Sequence, residues 1–232
     1  MTLIKSRNLC KSYCDDRKLV NAIIDCNVEI EQGECVTIIG TKCSGKTTLL
    51  RLLGGIERPS SGSIYIDQDD IASFSDDKLA ILRRNEIGYL FQNDSLIPDL
   101  TVHENIIMPT ILSHRKYEEE YYEDLMKQLQ LSDILKRYPN QLTINQLLCV
   151  AYARALIHQP NIILIDEPTN LLYQQKGKEV LELLLNMVRR YHKTLIMVTR
   201  DPVASIYANH IIRLNRGIII EDRIICNKSL QR

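Results

Sequence analysis

The chain has 232 residues, 45% of them hydrophobic, enough for one large domain or for a core carrying one inserted subdomain. Lysine plus arginine equals aspartate plus glutamate at 29 each, which argues against a dedicated nucleic-acid surface. No apolar run reaches the length of a membrane span and the opening MTLIKSRNLCKSY lacks the apolar core of a signal peptide, so a cytosolic chain is expected.

In chain order, the first third reads as short strands: TLIKSR, NAIIDCNVEI, ECVTIIG and SIYID, parted by the turn segments EQGE and PSSGS. CVTIIG is continuously apolar and rich in β-branched residues, as a strand buried on both faces must be. TTLLRLL follows it directly and suits a helix. From about Asp69 to Leu156 the pattern is mostly helical, and YEEEYYEDLMKQLQL is amphipathic with an acidic, solvated face. Strands and helices then alternate: NIILID, KEVLELLLNMVRRY and TLIMVT. HIIRLNRGIIIE closes the chain as a hairpin around Arg216 and Gly217. Such alternation predicts a parallel sheet covered by helices, an α/β core interrupted by a helical subdomain. The predicted boundaries are 1–90 and 157–232 for the core and 91–156 for the insertion. Cysteines stand at 10, 14, 26, 35, 43, 149 and 226 without a C-x-x-C pair, so reduced thiols are expected rather than a zinc site.

Gly40, Thr41, Lys42, Cys43, Ser44, Gly45, Lys46 and Thr47 spell G-x-x-x-x-G-K-T, followed by Thr48. The motif stands between a predicted buried strand and a predicted helix, the context in which it cradles nucleotide phosphates on backbone N–H groups. Lys46 would reach the β- and γ-phosphates and the Thr47 hydroxyl would ligate Mg²⁺. Lys42 adds charge beside the phosphates, and Cys43 stands where glycine would bend more easily. The apolar run NIILID ends in Asp166 and Glu167. A strand end beside a phosphate loop is where a magnesium ion needs a carboxylate, so Asp166 is the expected metal partner. Glu167 could orient or deprotonate an attacking water.

With these motifs the chain resembles, from about Ile4 to Glu221, the ATP-binding subunit of an ABC transporter. LLGGIERPSSGSI, LRRNEIGYLFQNDSLIPDLTVHENIIMP and YARALIHQPNIILIDEPTN resemble the macrolide-exporter and lipoprotein-release branch. The resemblance implies a P-loop NTPase core with an N-terminal antiparallel β subdomain and an inserted α-helical subdomain. It implies ATP and Mg²⁺ as ligands, ATP hydrolysis, and a peripheral position on the cytoplasmic face of the membrane. It also implies a head-to-tail pair of cassettes and a multi-span permease docking near Asn93 to Pro109. Tyr13 matches the aromatic that stacks on adenine, and Gln92 the glutamine that senses Mg²⁺ and the attacking water.

Three positions depart from the family pattern. The signature segment, usually LSGGQ, reads LTINQ: Thr143 and Gln146 are kept, and Ile144 and Asn145 replace glycines. If those positions need positive φ, Asn145 tolerates it and β-branched Ile144 does not. Arg200 stands where the family has a histidine, and its guanidinium stays protonated and reaches further. Tyr173, in NLLY, replaces the aspartate of the loop after the catalytic glutamate. The expectation is a chain that binds ATP well and hydrolyses it weakly with a copy of itself. The alternative is an ATP-gated regulatory or structural cassette working in a heterodimer.

Overall fold

The computed structural model describes residues 1–15, 18–90, 96–167 and 175–225, which fall into two compact units. The first comprises Met1–Arg83 and Thr194–Arg232, the second Arg84–Lys193.

In the first unit, β1 (Thr2–Asp15) and β2 (Lys18–Glu31) form an antiparallel ribbon, joined by β4 (Ser61–Ile66) and the short β5 (Asp69–Asp70) in the order β2-β1-β4-β5. Leu9, Ile23, Val28, Ile30 and Ile64 are buried on its inner face. The parallel strands come from the two ends of the unit. β3 (Cys35–Ile39) pairs with β8 (Thr194–Thr199) on one side and with β9 (His210–Asn215) on the other. Every residue of β3 and β8 is buried, as their largely apolar, β-branched sequences require of strands covered on both faces. β9 turns into antiparallel β10 (Ile218–Ile224) through Arg216 and Gly217, with φ of 48° and 80°. Positive φ at both turn residues matches the twist of the flanking strands, and glycine takes it without strain. Helix α1 (Lys46–Leu53) buries Leu49, Leu50, Leu52 and Leu53. Helix α2 (Asp76–Glu86) carries the chain into the second unit.

Among the described residues, the second unit holds the parallel pair β6 (Ile87–Leu90) and β7 (Ile162–Asp166) together with four α-helices that begin within it. These are α3 (Val102–Leu112), α4 (Glu119–Gln128), α5 (Ile144–Leu156) and α6 (Gln175–Arg190). β6 is a strand inside the stretch that reads as mostly helical. It is only four residues long and its partner lies more than seventy positions along the chain, so no local period marks it. Thr101 and Glu104 form a capping box that starts α3. In α4, Tyr121, Tyr122, Leu125 and Met126 are buried, the apolar stripe of an amphipathic helix. The Tyr121 hydroxyl donates to the Leu156 carbonyl at 3.0 Å, and Arg190 pairs with Asp124 at 3.2 Å.

Candidate functional site

The phosphate loop starts where β3 ends. Ile39 lies opposite Thr199 of β8, and the Gly40 N–H donates to the Thr199 carbonyl at 3.3 Å. Thr41, Lys42 and Cys43 are exposed, while the Ser44 N–H turns back onto the Thr41 carbonyl at 3.3 Å. Gly45 is the N-cap of α1 with φ of 100°, and a Cβ there would drive into the Ala22 carbonyl, so only glycine fits. Cys43 takes a φ of 62°, a left-handed conformation that costs a non-glycine residue about 1 kcal/mol. The Lys46 side chain is buried against the loop and donates to the Gly40 and Thr41 carbonyls, both at 2.9 Å. Thr47 and Thr48 are half-buried in the first turn of α1.

This loop fits a polyphosphate. Helix α1 begins without a capping side chain and without an acidic residue in its first turn, the electrostatics that favour an anion. The buried Ser44 hydroxyl has no hydrogen-bond partner. The Thr47 side chain offers a hydroxyl oxygen, the kind of donor a hard cation such as Mg²⁺ takes. Among the described residues no cluster of three His, Cys, Asp or Glu could hold a metal by itself.

Tyr13 stands on β1 opposite Val20 of β2. Its hydroxyl donates to Glu57 Oε2. Burial raises the phenol pKa and the Glu57 hydrogen bond raises it further, so the hydroxyl stays a neutral donor. Arg200 is exposed and directly follows β8, one residue past the Thr199 that faces the start of the phosphate loop. The Asp201 N–H donates to Thr199 Oγ1 at 3.0 Å and turns the chain there.

In the second unit, Asp166 closes β7 and is only 7% exposed. Glu167 follows with φ of 53°, a left-handed backbone that no local pattern announces. Strained φ/ψ of this kind gathers at functional positions. Gln92, Asn93 and Tyr173 lie outside the described residues. Of the segment from Asn93 to Pro109, Leu96 is buried and α3 supplies Val102, Asn105 and Ile106 to the core.

The signature segment is the N-terminus of α5. Thr143 is the N-cap, in extended conformation with φ of −71°. Ile144 and Asn145 occupy the first turn of the helix, and neither has positive φ. The backbone strain expected at Ile144 is therefore absent: the first turn of a right-handed helix accepts a β-branched residue. What remains is bulk, since Ile144 projects with 76% of its surface exposed. Thr143 and Gln146 form a capping box. The Gln146 N–H donates to Thr143 Oγ1 at 3.3 Å and the Thr143 N–H donates to Gln146 Oε1 at 2.9 Å. The T-x-x-Q spacing carried that signal in the sequence.

A family model described as ABC transporter matches residues 23–170. The chain belongs to the ABC transporter family. It is the ATP-binding component of that family's machinery, an ATPase with the fold of the ABC cassettes. It is 34% identical over 221 residues to the bacitracin export ATP-binding protein BceA of Halalkalibacterium halodurans, covering 94% of this chain and 87% of that one. It is 38% identical over 222 residues to the macrolide export ATP-binding/permease protein MacB of Sodalis glossinidius; the match covers 95% of this chain and spans 34% of MacB. A dimeric post-hydrolysis structure of the ATP-binding cassette MJ0796, bound to ADP and Pi, superposes with a TM-score of 0.85 at 34% identity, over 96% of this chain and 98% of that one.

Proposed function

We propose that the ABC cassette powers a separate membrane permease of the export or release type by binding and hydrolysing MgATP at the cytoplasmic face of the membrane. The observation that carries this reading is the loop from Gly40 to Thr47, with Lys46 folded over it and α1 starting uncapped behind it. In it, Lys46 holds the β- and γ-phosphates, the loop N–H groups surround them, and Tyr13 stacks on adenine. Bound Mg²⁺, held by Thr47 and Asp166 and sensed by Gln92, supplies neutralisation of the phosphate charge. Glu167 orients the water that attacks the γ-phosphorus and receives its proton as ADP leaves. A second cassette contributes its own Thr143-to-Gln146 segment in trans, and the permease docks near Asn93 to Pro109. The relatives include proteins for bacitracin export, macrolide export and lipoprotein release, which supports the export or release direction. No helix among the described residues is long and apolar enough to cross a membrane.

The exposed Ile144 favours a second reading, a cassette that turns over slowly with its own copy and gates a heterodimer. In that assembly this chain's loop and Glu167 face an intact partner signature, and the partner's loop faces LTINQ. Titration calorimetry of the full chain with MgATP tests the site. Lys46→Ala is expected to abolish binding while the far-ultraviolet circular dichroism stays unchanged. Retained affinity in a folded Lys46→Ala variant refutes the site. Capture from native membranes is expected to recover a multi-span partner.

A further inference from the structure

We propose that Glu57 is a positioning residue that holds Tyr13 as the platform for the nucleotide base, tying base recognition to the phosphate-loop helix. The inference rests on the reading of Tyr13 as the stacking aromatic. After α1 the chain folds back, and the N–H groups of Ile56 and Glu57 both donate to the Arg51 carbonyl, at 2.8 and 3.3 Å. That turn aims the Glu57 carboxylate at β1. One oxygen accepts from the Tyr13 hydroxyl, and the other accepts from Arg51 Nη1 at 3.1 Å. The carboxylate is thus fixed by α1 itself, and its side chain is only 20% exposed. Lys11 completes the frame. Its ammonium lies 3.9 Å from Glu57 Oε2, donates to the Arg58 carbonyl at 2.7 Å, and stands 5.2 Å from the centroid of the Tyr13 ring. A cation over one face leaves the opposite face to a flat base.

The frame has a physical purpose. An exposed ring on a strand samples several rotamers, and a base that stacks on it must first order it. A ring tethered through its hydroxyl is already ordered, so stacking loses less entropy. Since the Glu57 carboxylate is bound to Arg51 of α1, base and phosphate are held by one helix at a fixed separation.

The test is equilibrium binding of MgATP and of magnesium tripolyphosphate, which lacks the base, to the full chain and its variants. Glu57→Met keeps side-chain volume and removes the acceptor; Tyr13→Phe keeps the ring and removes the tether. Each is expected to raise the Kd for ATP about 3- to 10-fold, the range for releasing one ordered side chain. The Kd for tripolyphosphate is expected to stay unchanged, which also reports an intact loop. The two changes together are expected to cost no more than either alone. Glu57→Gln, which keeps an oxygen acceptor, is expected to recover most of the affinity. If ATP and tripolyphosphate weaken equally, Glu57 shapes the loop through Arg51 and the proposal is overturned. If Tyr13→Ala weakens ATP but Glu57→Met and Tyr13→Phe do not, stacking stands and positioning is wrong. If Tyr13→Ala leaves ATP affinity unchanged, the base is not on Tyr13 and both readings fall.

Discussion

Replacing Ile144 and Asn145 by glycine, together with Arg200→His, separates two effects that a motif comparison would merge. The two glycines enter the first turn of α5, where neither position needs positive φ. They therefore relieve no strain and bring only their poor helix propensity, roughly 0.5 kcal/mol each relative to isoleucine and asparagine. Ile144 is 76% exposed, so its removal forfeits little buried surface. The capping box of Thr143 and Gln146 survives, so the helix start is kept. The net cost is about 1 kcal/mol, or a Tm lower by ~2–4 °C for a chain of this size. Turnover should move the other way. Removing the isoleucine opens the helix N-terminus to a phosphate in the facing cassette, and one regained transition-state donor is commonly worth ~3 kcal/mol, or ~100-fold in rate. The assay is phosphate release at saturating MgATP over a range of protein concentrations, beside thermal unfolding of the same samples. A less stable but faster homodimer is expected, and Glu167→Gln should remove the gain. The reasoning fails if the folded triple variant is no faster. It fails equally if the unmodified chain alone already turns over at ordinary enzyme rates of ~1 s⁻¹ or more.

Two further predictions concern the frame around the site. His210 is buried between Glu34 and Asp222, at 2.9 and 2.6 Å, and although burial alone would lower its pKa, the two carboxylate hydrogen bonds raise it above the ordinary 6.5. Its folded pKa exceeds its unfolded one, so its stabilisation is complete below pH 6.5 and is lost as pH rises through the folded value. Burial instead holds the His158 imidazole down at about 4, so its contribution is lost as pH falls from 6.5 toward that value. Denaturation midpoints should peak near neutral pH, and His210→Gln should flatten the alkaline limb; an unchanged alkaline limb in that variant would refute the clasp. Cys43→Gly should relieve the left-handed residue in the phosphate loop and raise Tm by ~2–4 °C with ATP affinity kept, while Gly45→Ala should lower both; a cysteine variant no more stable than the parent counts against the strain.

The parts legible in the sequence were those written in local pattern. CVTII, IILID and TLIMVT are buried along their whole length, and Arg216–Gly217 makes the tight turn of the closing hairpin. The amphipathic stripe of α4 is visible as spacing alone. β6 was not legible because four residues carry no period and its partnership with β7 is remote in sequence. LTINQ shows how one string holds two messages. Read as a departure from a glycine pair it predicts strain; read as T-x-x-Q it announces a capped helix, and the backbone follows the second.

The sequence by itself determined the strand–loop–helix that can cradle phosphates, the carboxylates at the end of NIILID and the departures at Ile144, Tyr173 and Arg200. These are matters of residue type at fixed short spacing, where steric limits on φ and ψ and the hydrogen-bonding needs of a helix start act on neighbours in the chain. Only the tertiary structure decided that Tyr13 is tethered to Glu57, 44 residues on, and that His210 joins Glu34 across 176 residues. Nor could spacing reveal that Glu167 is held left-handed or that Ile144 points outward from a regular helix. A hydrogen bond between distant residues depends on how the strands between them pair. A side chain's exposure depends on what packs beside it. Neither is a property of any short stretch of sequence.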